Sequence, residues 1–321
     1  MGRDAGKKMR RTPRKADQRR IVVLLVIDLL AIVFTLLQAA GLLSVSDIMI
    51  RLGLADKPAV NAETEVHFID VGQADCTLVL SQGKAMLIDS GDMDRTDKVM
   101  QYLLDHGVRK LDAVIVTHPH SDHMGEMSDI IGRFEIGTFY MPAFPEELTP
   151  ATYSYEKMLD ALDKKDMGIT DPDGKTFDLG SCKVQIYTAK DEYDDLNEYS
   201  AVVRITDGGN TFLVTGDCGF AEERELVERG CDLSAKVLRV GHHGSASASG
   251  EDFLSQVRPR YCVISCSVDN DYGHPDKATL KRLKKYTNKI FCTSTSGTVV
   301  FYSDGEGLDM RKEADLNEKT G

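Results

Sequence analysis

Seven consecutive residues, Thr117-His118-Pro119-His120-Ser121-Asp122-His123, constrain this chain more than any other stretch. They follow residues 111–116, an apolar run that reads as a buried strand. The pattern His-x-His-x-Asp-His crowds four potential metal ligands into six positions. A cluster of ligands at the C-terminal end of a strand is where α/β folds place their active sites. Imidazole and carboxylate together suit Zn(II), Mn(II) or Fe(II). His118 and His120 can face one ion, and Asp122 and His123 a second about 3.5–4 Å away.

Four further strand-to-loop corners carry polar residues, and each follows an apolar run, so they can converge on one rim. In Leu87-Ile88-Asp89-Ser90-Gly91, Asp89 either orients a ligand histidine by hydrogen bonding or simply forms a turn. In Val214-Thr215-Gly216-Asp217, the glycine permits close backbone approach and Asp217 can bridge two cations. In Val240-Gly241-His242-His243-Gly244-Ser245, one imidazole can bind metal or contact a phosphate while the other packs or donates a hydrogen bond. In Tyr272-Gly273-His274-Pro275-Asp276, His274 can complete a metal site, polarise substrate or stand as a solvated loop residue.

The chain has 321 residues and a formal net charge of -12, unevenly spread. Residues 1–20 hold nine Lys or Arg against Asp4 and Asp17, so the remainder carries about -19. That acidic body argues against broad, sequence-blind nucleic-acid binding and leaves room only for a local cationic groove. Residues 21–43 form an apolar stretch interrupted by Asp28, Thr35 and Gln38, long enough to span a bilayer. With the basic flank held inside, the N-terminus is expected in the cytoplasm and the rest outside. A cleaved signal peptide is the competing reading, and Gln38-Ala39-Ala40-Gly41 offers it small residues. The seven cysteines contain no C-x-x-C and no small-domain spacing; the one close pair, Cys262 and Cys266, lies in an apolar run. Buried thiols are expected rather than a disulfide framework, which sits uneasily with an extracytoplasmic location.

The expected organisation is a basic cytoplasmic segment 1–20, a transmembrane anchor 21–43, a linker 44–63, an α/β domain 64–304 and a charged, disordered tail 305–321. Within the domain, strands are expected at 66–71, 76–80, 85–88, 111–117, 183–187, 201–206, 211–215 and 236–240. Helices are expected at 96–106, 153–166 and 220–229, and alternation continues to residue 302. Two mixed sheets with helices outside make a four-layer αββα arrangement, with residues 65–190 and 195–304 each supplying one sheet.

Taken together, the His118–His123 cluster, Asp89, Thr215-Gly216-Asp217 and a late histidine resemble the metallo-β-lactamase superfamily of dinuclear hydrolases. More narrowly, Phe68-Ile69-Asp70-Val71-Gly72-Gln73-Ala74-Asp75, Leu213–Asp217, Val240–Ser245 and Tyr272–Pro275 are similar to the extracytoplasmic hydrolase domain of the ComEC DNA-uptake family. The resemblance covers residues 64–304. It implies a metallo-β-lactamase sandwich, two divalent ions (Zn or Mn) and a water nucleophile. His118, His120, Asp122, His123, Asp217 and His274 are the implied metal ligands, and Asp122, His242 and His243 the catalytic groups. The implied substrate is a phosphodiester, with single-stranded DNA as a candidate partner. Ester or lactone hydrolysis is the alternative chemistry, and a non-catalytic metal-containing accessory protein the alternative class. Two departures stand out. No histidine lies between His123 and His242, where the superfamily often has another ligand; Asn197 and Ser200 stand near that place and offer oxygen contacts or substrate hydrogen bonds. And a single expected span cannot build a multi-span channel, so transport does not carry over.

Overall fold

The computed structural model describes residues 60, 62–93 and 96–315, with residues 28, 29, 32 and 33. Most of the expected anchor and most of the expected linker lie outside the described residues. Among those described, no helix is long and apolar enough to cross a membrane.

Among the described residues, fifteen strands, numbered in chain order, form two sheets. The first runs β15 (Leu308–Lys312), β14 (Val299–Ser303), β1 (Thr64–Phe68), β2 (Thr77–Ser81), β3 (Lys84–Ile88), β4 (Lys110–Ile115), β5 (Glu135–Tyr140) and β6 (Ile169–Thr170). The second runs β13 (Ile290–Cys292), β12 (Tyr261–Ile264), β11 (Val237–Arg239), β10 (Asn210–Val214), β9 (Val202–Asp207), β8 (Cys182–Tyr187) and β7 (Thr176–Leu179). In each sheet an antiparallel half adjoins a parallel one: β3 to β6 are parallel, and so are β10 to β13. The loops after the parallel strands therefore emerge on one rim.

Side-chain alternation explains the layering. Val66 and Phe68 of β1, Met86 and Ile88 of β3, and Ala113 and Ile115 of β4 face the second sheet. They meet Val203 and Ile205 of β9, Phe212 and Val214 of β10, and Val237 and Val263 beyond. Phe301 of β14 sits at the centre, edge-on to Phe68, Phe212 and Tyr261. The opposite face of the first sheet packs Leu87, Leu111 and Val114 against helices Thr96–Asp105, Met127–Arg133 and Tyr153–Lys164. The outer face of the second packs Leu213, Leu238 and Cys262 against helices Phe220–Glu228, Glu251–Val257 and Lys277–Leu283. The αββα sandwich expected from the sequence is the observed one.

Two expectations are corrected. Leu308–Lys312, assigned to a charged tail, forms strand β15 paired to β14, with Leu308 and Met310 turned toward the inter-sheet core. Two apolar residues alternating among charges were too short a signal. Nor does each half of the chain make one sheet: β7 and β8 join the second sheet, and β14 returns to the first.

At the rim opposite the ligand-bearing loops, polar side chains join the sheets. Thr64 and Ser81 meet at 3.0 Å, and Ser81 meets Ser181 at 3.1 Å. Asp207 accepts from Ser181 at 2.9 Å and from Ser303 at 2.6 Å, and Asn210 donates to Ser303 at 2.9 Å. Asp207 and Asn210 come from the second sheet; Thr64, Ser81 and Ser303 come from the first. Because all but Ser181 are buried, each bond also removes a desolvation penalty.

Candidate active site

Strand β3 is followed by Asp89, which takes a left-handed φ of 58° and turns its carboxylate toward Thr117, just beyond the end of β4. Thr117 donates to it twice, from its amide and its hydroxyl, both at 2.7 Å. His123, on the short helix Ser121–Met124, places Nδ1 2.8 Å from the same carboxylate. That fixes the ring and leaves Nε2 aimed at the centre of the rim.

From the second sheet, β10 delivers Asp217 through Gly216. Gly216 has φ +50°, and a Cβ there would lie 2.8 Å from the Thr117 side chain and 3.0 Å from Ser200 Oγ, so only glycine lets the sheets approach so closely. Ser200 Oγ accepts from the Asp217 amide at 3.0 Å and lies 3.4 Å from His118 Nδ1. After β11, His242 and His243 both take positive φ, 49° and 52°, a strained turn of the kind found at functional sites. The turn brings His243 Nδ1 to 2.9 Å from the Ser265 carbonyl and Nε2 to 3.1 Å from Asp122.

Asp75, His123, Asp217 and His243, all buried, each offer one ligand atom within 4.8 Å of the others. Asp75 Oδ2, His123 Nε2 and Asp217 Oδ1 make no aligned hydrogen bond; Asp75 pairs with Arg239, and His123 Nε2 faces Asp217 Oδ1 at 3.2 Å. Two imidazoles and two carboxylates directed at one point fit a divalent cation. His118 Nε2 and His120 Nδ1 lie 3.0 Å apart beside this group, and the His118 and His123 rings are 4.2 Å apart. The histidine-rich loop thus converges with Asp217 and His243. His242 Nε2 stands 3.7 Å from Asp217, and its side chain is 26% exposed. His274 lies farther out, at the mouth, where Gln73 Nε2 is 3.5 Å from its Nδ1. Asn197 lines the same mouth.

The charges show why a cation belongs here. Burial opposes protonation of His123, but the carboxylates of Asp217, Asp89 and Asp122 overcome it and hold the imidazolium well above the usual histidine range. Asp217 is likewise opposed by burial yet held well below the usual carboxylate range by His243 and His123. Asp122 also lies low: burial opposes this, and His123 and the bond from His243 outweigh it. His118 is pushed well down by burial, assisted by the neighbouring His123 charge, and so offers a neutral imidazole.

Two residues of this centre are not indicated by the sequence pattern: Asp75, which stands within the Phe68–Asp75 motif, and Arg239, which lies in the strand expected over 236–240. They form a close, buried ion pair across the sheets. Arg239 also donates to the Gly216 carbonyl. An arginine inside Val237-Leu238-Arg239-Val240 was the available signal, since a charge in an apolar strand needs a buried partner. A cavity of about 350 Å³ opens above the centre, lined by His120, Asp122, Asn197, Asp217, His242, His243 and Tyr272 among others.

Comparison with known proteins agrees with this geometry. The family described as the Metallo-beta-lactamase superfamily matches residues 69–268. The chain is 29% identical over 267 residues to ComE operon protein 3 of Bacillus subtilis (strain 168), covering 76% of this chain and 34% of that protein. It is 31% identical over 241 residues to competence protein ComA of Neisseria gonorrhoeae, covering 74% of this chain and 32% of that protein. The chain thus spans about a third of the length of these relatives. Among solved structures, a variant of the CmlA beta-hydroxylase superposes with a TM-score of 0.50 at 14% identity, covering 80% of this chain and 59% of that one.

Proposed function

Since the chain belongs to the metallo-β-lactamase superfamily, we propose that it is a metal-dependent phosphodiesterase, anchored in the membrane by residues 21–43, with its hydrolase domain outside the cytoplasm. The observation that carries the metal-dependent part is the convergence of four buried ligand atoms, one each from Asp75, His123, Asp217 and His243, within 4.8 Å of one another. Similarity to competence proteins favours a phosphodiester, with single-stranded DNA as the candidate substrate. The 23-residue apolar run behind a basic flank favours the anchor.

Asp75, His123, Asp217 and His243 would hold one Zn or Mn ion, and His118, His120 and Asp122 would help hold the second. Bound divalent ions supply a water nucleophile at neutral pH and positive charge for the phosphate. The remaining work falls to side chains. Asp122 faces the cavity, steadied by His243 at 3.1 Å, and would orient the attacking water. Asp89 and the Ser265 carbonyl fix the ring planes of His123 and His243. His242, on the cavity wall with Nε2 3.7 Å from Asp217, stands where its imidazole would stabilise the leaving oxygen. Ser200 and Asn197, which stand in the sequence near the place where the resemblance expects a further histidine, would offer oxygen contacts or hydrogen bonds to substrate.

The test uses the full chain in detergent, loaded with Mn(II) or Zn(II), on single-stranded oligonucleotides and a chromogenic phosphodiester, beside Asp122→Ala. Metal-dependent cleavage lost in the variant, with an unchanged circular dichroism spectrum, is the expected result. Metal binding without cleavage of either compound would remove the phosphodiesterase reading and turn attention to esters and lactones.

A further inference from the structure

Tyr272 is 73% exposed, the most exposed large hydrophobic side chain among the described residues. It stands at the mouth of the catalytic cavity. Its ring stacks on His274 at 5.6 Å and 23°, and His274 lies nearly parallel to His243 at 6.4 Å and 19°. Three roughly parallel rings therefore lead from solvent to the centre. The loop that presents them is tied down. Asn270 Nδ2 donates to the carbonyls of Ser267 and His274, its Oδ1 accepts from the His274 amide, and Gln73 Oε1 accepts from the Ser267 amide.

The walls are equally informative. None of the described residues lining this cavity is Lys or Arg. Proteins that track a nucleic-acid strand pair aromatic platforms with a positively charged groove. Here the platform is present and, among the described residues, no Lys or Arg wall accompanies it.

We propose that Tyr272 is a stacking subsite for one planar base of the substrate, and that the substrate is a short base-bearing phosphodiester or a strand end, held by stacking beside the centre rather than by phosphate tracking. This rests on the phosphodiesterase reading above and narrows it. Little binding then comes from counterion release, so affinity should change weakly with salt.

The experiment uses the full chain with Mn(II), thymidylyl-thymidine, the same phosphodiester lacking its bases, and Tyr272→Leu and Tyr272→Phe. We expect kcat/KM for the base-bearing compound to fall about five- to 100-fold in Tyr272→Leu, the range of one base–aromatic stack. Tyr272→Phe should retain activity, and the baseless compound should be hydrolysed alike by all three proteins. A separate binding readout uses a dinucleotide carrying 2-aminopurine, whose fluorescence is quenched by stacking, on Asp122→Asn protein. Quenching should disappear when Tyr272→Leu is added. Equal losses on both compounds would make Tyr272 a prop for His274 and overturn the proposal, as would undiminished quenching. A plot of log affinity against log salt steeper than about −1 would overturn the short-substrate part. If neither compound is hydrolysed, the phosphodiesterase reading fails on its own, and the quenching result still decides the subsite.

Discussion

Removing the guanidinium in Arg239→Met should destabilise the metal-free protein more than almost any other single change outside the core. Arg239 is 1% exposed and Asp75 5% exposed, and they pair directly. Methionine keeps much of the apolar stem but leaves the Asp75 carboxylate buried without its counter-charge. Breaking a buried pair in this way costs about 3–5 kcal/mol. Removing both charges, in Asp75→Asn with Arg239→Met, should cost no more than about 2 kcal/mol, because no isolated charge remains. Asp75→Asn alone strands the buried guanidinium at a similar cost, so the interaction energy in a double-mutant cycle is at least about 4 kcal/mol in magnitude. Lys84→Met, which breaks the exposed Lys84–Asp112 pair, serves as the comparison at no more than about 1 kcal/mol. The assay is equilibrium urea unfolding in EDTA, with slopes compared to exclude changes in the denatured state. An interaction energy below about 0.5 kcal/mol, or an Arg239→Met loss no larger than that of Lys84→Met, would refute the argument.

Other outcomes follow from the same geometry. Gly216→Ala forces a side chain into a left-handed turn against Thr117 and Ser200, and should cost about 2–4 kcal/mol in thermal or urea unfolding while weakening metal binding. Asp89→Asn should lower metal affinity about 10–100-fold in a competition titration against a chelating dye, because His123 loses its anionic anchor. His106, packed beside His67 and Tyr102, has its pKa lowered to about 4, chiefly by burial. Between about pH 6.5 and 4 the unfolded chain therefore binds more protons than the folded one, so stability from this group is full above 6.5 and falls as pH drops toward 4. His106→Phe should reduce that loss by up to about 3 kcal/mol, read from urea midpoints at pH 7 and 4.5.

The layers of this fold were legible because apolar runs alternate with turn residues along the sequence, and the candidate site because ligand-type residues recur at the ends of those runs. His118 to His123, Asp217 and His243 needed only spacing and strand position to be found. Asp75 and Arg239 did not announce themselves. Each is a lone charge whose meaning depends on a partner more than 160 residues away, and local pattern carries no such distance. Strand β5 escaped notice because Glu135 and Gly137 interrupt its apolar face. Strand β15 was missed because most of its residues are polar or charged and its pairing to β14 supplies the order.

The polar network at the far rim gives the sandwich a fixed end. Thr64, Ser81, Asp207 and Ser303 hold that end shut whatever happens at the other. At the candidate-site end the sheets meet around clustered carboxylates, held by Arg239, His123 and His243 and by the Ala201–Thr117 and Ser267–Gln73 hydrogen bonds. A cation held there would add a further tie between the sheets at that end, and its loss would loosen that end before the far one. Amide protons on the loops after β4, β10 and β11 should then exchange faster on metal removal, while those at the start of β1 and in the turn between β9 and β10 keep their protection.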